Sequence, residues 1–461
     1  MDIALVIVDS VRAASIPGLG RAGETATAPF LASLPERMTA FTRAYATECW
    51  TLPTHASMFT GLLPSEHGAH FQSMAYRNPA PTIAELLAER GYATELVTRN
   101  PVLDGTLPGI TRGFQVQTQI LSQRSKGANP LVVMLALSKP RFRRQVAQSG
   151  FFHDGQRASR EFVRDFARGT VPADRELLEY LVDRMRVHRE HGRRFFLCAN
   201  LFDVHAPYPP TPTSIFRGWR SWRDWEENLT MPFVLPLLGS HRYLRPGFRL
   251  SERSRSLLLG RYHDAIALMD QKLEWFLDAL HSYGLLDDLL LVITSDHGEA
   301  FGEHGLYFHD ASVYQTHLHV PLFVHHPTQA PSVVPDVVST RDLFTLLRAV
   351  GRAEGIGRTL LDPAHRQAHP VAHAEHFHYP RALWMDERYR HDLRAVIVGG
   401  SKLIRRGTQA SYYDLQKDAR ERSPVPVRTE DIEGSGVVPA AQARWLGGSN
   451  DGLAGKNATA T

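Results

Sequence analysis

Two apolar runs of this chain end in side chains that could bind a divalent metal ion. Ile3–Val8 is followed directly by Asp9, and Leu289–Ile293 leads to Asp296 and His297. Uninterrupted apolar runs predict strands that are buried on both faces of a sheet, and ligand sites of open α/β sheets lie beyond the carboxyl ends of the strands. Two carboxylates and an imidazole suit Mg²⁺, Mn²⁺, Ca²⁺ or Zn²⁺. We therefore expect these three side chains to lie close together at one edge of a sheet.

A candidate nucleophile lies in the stretch around Thr51. Pro53 suits the first turn of a helix and Gly61 suits its end, so the pattern predicts a helix that begins near Thr51. The N–H groups and the dipole at a helix N-terminus favour an anion, and a hydroxyl there can attack phosphorus or sulfur when a metal lowers its pKa. The alternative is that Thr51 only caps the helix, and that Asp9 caps another helix or a turn.

The elements that must position these side chains follow an alternating pattern. Phe195–Leu201 predicts another buried strand, which leads to His205, and amphipathic helices are predicted from Thr82 to Arg90 and from Ser251 to Ser282. Strands that alternate with helices favour a mainly parallel sheet covered by helices on both faces. Residues 120–190 are Arg-rich and helical in pattern without a recognisable motif, and we expect a helical insertion or lid there.

The chain divides into three predicted regions. We expect a catalytic α/β domain over residues 1–364 and a small C-terminal α+β subdomain over residues 365–430, where short strand-like pieces alternate with turns. Gly, Ser, Asn and Ala dominate the last part of the chain, so that residues 431–461 are predicted to be a disordered tail.

Composition excludes several classes of function. The 461 residues are 43% hydrophobic and 22% charged, as in ordinary globular proteins, and a net charge of +4 gives no case for nucleic acid. No apolar run reaches the length of a membrane span, and Cys49 and Cys198 are too few for a disulfide framework. The N-terminus has no basic leader before its first apolar run, which predicts the cytoplasm; the oligomeric state is not indicated.

Taken together, these segments resemble the sulfatase family of the alkaline phosphatase superfamily. The resemblance runs from Asp2 to about Val425, apart from residues 120–190. It rests on six segments in the family's order: Val8–Arg12, Thr51–Gly68, Asp203–Tyr208, Ser295–Glu299, Gly302–Leu306 and Tyr413–Asp418. It implies an alkaline-phosphatase-like fold, with a mostly parallel sheet sandwiched by helices and a small C-terminal α+β subdomain.

The resemblance also implies a ligand set for one divalent metal ion. Asp9, Asp296 and His297 would bind the ion, and Thr51 would bridge the ion and the substrate as the nucleophile. The ion could be Ca²⁺, Mg²⁺, Mn²⁺ or Zn²⁺.

Four further residues receive roles from the same resemblance. His205 and His309 would contact the oxyanion of the substrate or protonate its leaving group. His55 stands where the family's signature has an Arg that supports the nucleophile, and Asn100 lies near a position where many relatives place a substrate-binding Lys.

The chain departs from the family at the nucleophile itself. Sulfatases oxidise a Cys or Ser in the frame Cys/Ser-x-Pro-x-Arg to formylglycine, whereas this frame is Thr51-Leu52-Pro53-Thr54-His55. The β-carbon of Thr carries a methyl group and cannot become that aldehyde, so no formylglycine is expected. Ser10 replaces a second Asp of many relatives, which leaves the metal one carboxylate fewer.

These observations predict a sulfatase-like, metal-dependent hydrolase of small-molecule or glycan sulfate or phosphate esters, with Thr51 as the metal-activated nucleophile. Thr nucleophiles occur elsewhere in the superfamily, in phosphodiesterases, phosphomutases and phosphoethanolamine transferases. A phosphoryl-group transferase or phosphodiesterase is therefore one alternative, and a non-catalytic descendant that binds an anion is another.

Overall fold

The structure is a computed structural model, and two of the predicted regions lie largely outside the part that it describes. Of the predicted lid, residues 121–173 are not described, and of the predicted tail only three residues are. Both expectations stay predictions, as do the domain boundaries. The described residues are 1–20, 24–120, 174–206, 208, 243–244, 246–309, 311–378, 386–428, 442 and 445–446.

An eight-stranded sheet forms the centre of the molecule, in the order β10-β2-β9-β6-β1-β5-β3-β4. Two short strands, β7 and β8, pair only with each other. The bounds are β1 (Asp2–Val8), β2 (Thr39–Tyr45), β3 (Ala93–Thr98), β4 (Val116–Gln119), β5 (Phe195–Leu201), β6 (Leu289–Thr294), β7 (Ala300–Phe301), β8 (Tyr307–Phe308), β9 (His319–His325) and β10 (Ser332–Ser339).

The sheet is mostly parallel, as predicted. Within it, β1 pairs in parallel with both β5 and β6, and β3 pairs in parallel with β4 and β5. Strand β9 is the exception, because it runs antiparallel to both of its neighbours, β2 and β6. The parallel pairs require long crossover connections, which the helices supply.

Helices cover both faces of the sheet. Alternate residues of β1 enter two separate apolar clusters, one with α1, α5 and α6 and the other with α2, α4 and α8, which explains why the strand has no polar face. Among the described helices, none combines the length and apolarity that a membrane crossing requires. The bounds are α1 (Pro29–Ser33), α2 (Thr51–Thr60), α3 (Pro64–His67), α4 (Ile83–Ala88), α5 (Asp174–Glu190), α6 (Glu252–Ser282), α7 (Gln315–Leu318), α8 (Leu343–Gly351) and α9 (Pro363–Ala368).

Local signals in the sequence set the ends of the helices. Helix α2 ends at Gly61, which adopts φ 73° and donates its N–H to Ser57 O at 2.8 Å, as a left-handed C-terminal residue should. Helix α6 begins after Ser251, whose hydroxyl accepts the N–H of Ser254 at 3.0 Å. Helix α5 falls within the predicted lid region, yet its buried leucines pack in the core beside β5.

A second, antiparallel sheet follows in the C-terminal part of the chain. Its five strands pair in sequence order. One face packs against Tyr45 and Val337 of the central sheet, and Trp445 and Leu446 pack on the other. The strands are β11 (Val371–His376), β12 (Leu393–Val398), β13 (Ser401–Arg406), β14 (Gln409–Asp414) and β15 (Val425–Arg428).

Candidate active site

Strands β1 and β6 bring the first two predicted metal ligands together. The strands are parallel neighbours, with Asp2 opposite Leu289 and Ile7 opposite Thr294. Asp9 and Asp296 therefore emerge side by side at the carboxyl edge of the sheet, where both are fully buried. Neither acts as a simple helix cap.

Three ligand atoms converge at this edge. His297 Nε2 lies 3.7 Å from Asp9 Oδ1 and 3.5 Å from Asp296 Oδ2, and one ligand atom from each residue lies within 4.8 Å of the others. Atoms bound to one ion at about 2.0–2.4 Å are separated by roughly 3–4 Å. Asp296 Oδ2 and His297 Nε2 have no hydrogen-bond partner although both are buried, so this group has the spacing and the unsatisfied acceptors of a metal site.

The His297 ring is oriented by the backbone. Its Nδ1 donates to Gly298 O at 3.0 Å, which leaves Nε2 as the acceptor that faces the two carboxylates. Gly298 permits this turn because the chain passes very close to it: a Cβ there would lie 2.1 Å from Thr316 O and 2.9 Å from Arg12 Cβ.

The electrostatics of the pair of carboxylates are unfavourable without a cation. Burial, and then the neighbouring Asp9, raise the pKa of Asp296 well above its usual range. Burial also opposes ionisation of Asp9, but His205, His297 and His309 outweigh it and lower the pKa of Asp9. Within the described residues no Lys or Arg pairs with either carboxylate, so the second negative charge has no protein partner.

Thr51 stands beside these ligands at the first residue of α2. The cap position belongs to Trp50, whose side chain makes no capping bond, so the interpretation of Thr51 as a mere cap does not apply. The Asn100 side chain donates to Asp9 Oδ2 at 2.7 Å and to Thr51 Oγ1 at 3.2 Å. Its Oδ1 accepts the N–H of Val102 at 2.9 Å, which fixes the direction of the amide.

His55 lies one helical turn after Thr51 and is buried. Its Nδ1 bonds Thr51 O at 2.9 Å and lies 3.8 Å from Asp296 Oδ2. Burial lowers the pKa of His55 to about 4, so the ring is neutral at pH 7. It therefore differs in charge from the Arg that the family's signature has at this position.

Two further histidines border the site. The His309 ring lies 4.7 Å from the ring of His297 and 4.9 Å from that of His205, measured between centroids. His309 Nδ1 donates to Glu299 Oε1 at 3.0 Å, and His205 Nδ1 donates to Ala206 O at 2.6 Å. Nδ1 is therefore the donor nitrogen that orients each ring. Burial lowers the pKa of His205.

Three residues at the site were not predicted as part of it. Asn200, at the end of β5, donates to Asp9 Oδ2 at 3.3 Å, and Ser10 donates to Asp9 Oδ1 at 3.0 Å while adopting φ 65°. Glu299 holds His309 through one oxygen and accepts the Tyr208 hydroxyl at 3.0 Å through the other. A polar residue inside the apolar run of β5 was the available signal for Asn200.

The motif residue Asp203 serves a different purpose from its neighbour His205. It forms an ion pair with Arg99 and another with Lys272, and exchanges backbone–carboxylate bonds with Asp174 at the start of α5. This buried network ties β3, β5, α5 and α6 together behind the site.

His67, at the end of α3, holds helix α2 by hydrogen bonds. Its Nε2 lies 3.1 Å from both Pro53 O and Ser57 Oγ, and its Nδ1 accepts the N–H of Ala69 at 3.0 Å. These bonds require the neutral ring, in which Nε2 is the donor and Nδ1 the acceptor. Burial lowers the pKa of His67 to about 3. Below about pH 6.5 this histidine binds a proton in the unfolded chain but not in the folded chain. The free energy of unfolding therefore decreases as the pH is lowered.

We expect His67→Gln to flatten this acid dependence. Between pH 7.5 and pH 5 the free energy of unfolding of the variant should fall by about 2 kcal/mol less than that of the wild type, since one pKa unit corresponds to about 1.4 kcal/mol. Urea unfolding at the two pH values measures the difference. The exposed His281→Gln is the control and should behave as the wild type; equal slopes for all three proteins would contradict the assignment.

The chain is similar in sequence to known sulfatases. A choline-sulfatase of Rhizobium meliloti (strain 1021) is 24% identical over 359 residues, which are 75% of this chain and 66% of that protein. An arylsulfatase of Clostridium perfringens (strain 13 / Type A) is 24% identical over 183 residues, or 35% of this chain and 34% of that protein. The alignments thus span about two thirds and one third of these relatives.

The fold itself is matched more completely. The crystal structure of a phosphonate monoester hydrolase of Agrobacterium radiobacter superposes with a TM-score of 0.65 at 20% identity, covering 96% of this chain and 94% of that one. The sulfatase family model matches residues 2–351. This range holds every predicted site residue and most of the chain, and the protein belongs to the sulfatase family.

Proposed function

We propose that this protein hydrolyses sulfate or phosphate esters and uses the Thr51 hydroxyl as its nucleophile. The observation that carries the proposal is the position of Thr51 Oγ1, 3.2 Å from the Asn100 amide that also holds Asp9. The hydroxyl thus faces the edge where Asp9, Asp296 and His297 converge.

The acceptors at this edge suit a divalent cation. Two of their atoms, Asp296 Oδ2 and His297 Nε2, are buried without a hydrogen-bond partner. Asp9, Asp296, His297 and Thr51 would hold the ion, which could be Ca²⁺, Mg²⁺, Mn²⁺ or Zn²⁺. When bound, it would lower the pKa of the hydroxyl and offset negative charge on the substrate.

Side chains of this protein would carry out the displacement at sulfur or phosphorus. Thr51 Oγ1 loses its proton to solvent and attacks sulfur or phosphorus, the bond to the ester oxygen breaks, and Thr51 carries the group covalently. Water attacks the same centre in a second step, which regenerates Thr51 and releases sulfate, phosphate, a phosphate monoester or a phosphonate, according to the substrate. The departing ester oxygen needs a proton, and His205 and His309 are the candidate donors in their protonated form, in which Nε2 carries a proton as well as Nδ1.

Neutral donors would hold the anionic group. The first turn of α2 has no side-chain cap, so its N–H groups and the helix dipole are available to the substrate oxygens. The Asn100 amide lies beside them.

One observation favours phosphorus over sulfur. Thr51 occupies the nucleophile position and cannot be converted to formylglycine, the nucleophile that sulfatases use. Direct attack by a hydroxyl is the route of phosphodiesterases and phosphoryl transferases. The structure from Agrobacterium radiobacter that shares the fold is a phosphonate monoester hydrolase. Phosphodiesters and phosphonate monoesters are therefore the second set of candidate substrates, beside small-molecule or glycan sulfates.

A panel of substrates and metals tests the proposal. The full chain, freed of metal, is assayed with an aryl sulfate, a phosphate monoester, a phosphodiester and a phosphonate monoester, each with Ca²⁺, Mg²⁺, Mn²⁺ or Zn²⁺. We expect metal-dependent turnover of at least one ester. If no ester is hydrolysed with any of the ions, the protein is an anion-binding descendant of the family and the proposal is wrong. Transfer to added alcohol or sugar acceptors, measured in the same assay, separates transferase from hydrolase activity.

A further inference from the structure

A second group of ligand-type side chains lies outside the active site. Glu48, Cys49 and His376 are buried, and one ligand atom of each lies within 4.8 Å of the others. Glu48 and Cys49 precede helix α2, whereas His376 ends strand β11 of the C-terminal sheet. The predicted functional residues include none of the three.

The His376 ring is held through one nitrogen only. Its Nδ1 lies 3.0 Å from Glu48 Oε1 and 3.8 Å from Cys49 Sγ, whereas its Nε2, which is buried without a hydrogen-bond partner, points away from these two side chains. Nitrogen and oxygen bound to one tetrahedral Zn²⁺ would be separated by about 3.3 Å, and nitrogen and sulfur by about 3.6 Å. The two separations in this group are close to those values.

The carboxylate of Glu48 is buried without a fixed positive charge. Its oxygens accept the N–H of Cys49 at 2.8 Å and the indole N–H of Trp50 at 3.1 Å. Among the described residues, no Lys or Arg forms an ion pair with it, and the imidazole nearest to it is that of His376, with Nδ1 3.0 Å from Glu48 Oε1. Buried carboxylates are ordinarily paired with a cation or coordinate a metal.

Aromatic side chains close this region off from solvent. Trp50 is stacked on Phe71 with 4.2 Å between ring centroids, and Phe71 meets the edge of His376. The three ligand side chains are therefore shielded from bulk solvent.

We propose that Glu48, Cys49 and His376 are three of the four tetrahedral ligands of a Zn²⁺ ion that joins the start of the nucleophile helix to the C-terminal sheet. Thiolate, imidazole and carboxylate are the ligand types that Zn²⁺ takes. On binding, the Cys49 thiol releases one proton to solvent, and the ring proton of His376 moves from Nδ1 to Nε2. The site is separate from the Asp9–Asp296–His297 group and does not depend on the proposed reaction.

Cobalt(II) is the probe that distinguishes the two groups, because only this one contains sulfur. We expect Co²⁺ added to the metal-free full chain to produce a near-ultraviolet thiolate-to-metal charge-transfer band, which added Zn²⁺ removes by competition. The band should be absent from Cys49→Ser and should persist in Asp296→Asn, in which the active-site group is impaired. Cys198→Ser is the matched control and should keep the band, since Cys198 lies buried within β5.

Several results would overturn the proposal. They are the absence of a charge-transfer band in the wild type, a band that survives in Cys49→Ser, or a band that is lost in Cys198→Ser. If Cys49→Ser does not fold, His376→Gln keeps the thiol and should still weaken Co²⁺ binding by at least about tenfold, as loss of a ligand does. Unchanged Co²⁺ affinity in that variant would show that the three side chains are linked by hydrogen bonds alone.

Discussion

Replacing Thr51 by Ala is expected to lower kcat/KM by at least about a thousandfold for whichever ester the protein hydrolyses, because loss of a covalent nucleophile removes a step that no neighbouring group can perform. The fold should survive, since Thr51 Oγ1 receives a hydrogen bond from Asn100 at 3.2 Å and is not required to cap α2. Steady-state kinetics with the best ester of the panel measures the effect.

Two further substitutions in α2 separate an effect on the reaction from an effect on the packing of the helix. Thr51→Ser keeps the hydroxyl and should retain most of the activity, with the lost methyl group affecting mainly stability. Thr60→Ala, at the other end of the same helix, removes a hydroxyl that bonds Ala56 O at 2.6 Å. It should cost stability and leave kcat nearly unchanged.

Two outcomes would contradict the role of Thr51. One is turnover in Thr51→Ala within about tenfold of the wild type, which would be too small a loss for a nucleophile. The other is equal loss in Thr51→Ala and Thr60→Ala, which would indicate damage to the helix rather than to the reaction. Detection of a phosphorylated or sulfated Thr51 by mass spectrometry after rapid quenching would support the covalent step directly.

The layout of the site could be predicted because it depends on local sequence. The apolar runs of β1 and β6 are long enough to read as buried strands, and parallel neighbours place Asp9 and Asp296 at the same edge without further information. Likewise Pro53 and Gly61 fix the start and end of α2 to within a few residues. These features need no knowledge of distant contacts.

What the sequence could not give depends on contacts between distant segments. Asn200 looks like an ordinary polar end to β5, and only the pairing of β5 with β1 reveals that its amide reaches Asp9. The antiparallel direction of β9 is equally invisible in its apolar pattern, because a strand buried in a mixed sheet is apolar in either direction.

The Glu48–Cys49–His376 group could not be predicted from the sequence for the same reason, because its residues come from distant segments. Cys49 and His376 are 327 residues apart, and neither lies in a spacing that resembles a zinc motif. Cys49 stands two residues before Thr51 in the sequence, whereas its side chain faces His376 of the C-terminal sheet. Sequence spacing identifies metal sites only when the ligands come from one or two short segments.

Asp296→Asn is expected to change activity and stability in opposite directions. The amide keeps an oxygen for the N–H groups of Ser10 and His297, which Asp296 Oδ1 accepts at 3.2 and 2.9 Å. It replaces the charged Oδ2, which has no partner, by a neutral group. Metal affinity and kcat/KM should therefore fall by at least about a hundredfold.

The metal-free variant should nevertheless be more stable than the metal-free wild type. Burial and the adjacent Asp9 raise the pKa of Asp296, so at neutral pH the fold bears the cost of ionising a buried carboxyl that is ionised freely in the unfolded chain. Removing that cost should raise the free energy of unfolding by about 1–3 kcal/mol. The gain should be full above the folded-state pKa and should disappear as the pH falls to the ordinary value of 3.8.

Thermal or urea unfolding with chelator, and again with the activating ion, tests both halves of this prediction. The ion should stabilise the wild type and leave Asp296→Asn almost unaffected, which reverses their order of stability. Glu95→Gln provides the matched substitution on β3, where Arg184 and His188 outweigh the effect of burial and lower the pKa of the carboxyl, with Arg184 Nη2 2.6 Å from Glu95 Oε1. That variant should be less stable than the wild type and should keep both metal binding and activity. If chelated Asp296→Asn proves less stable than the chelated wild type, the two carboxylates do not repel one another in the metal-free fold, and their arrangement no longer argues for a cation between them.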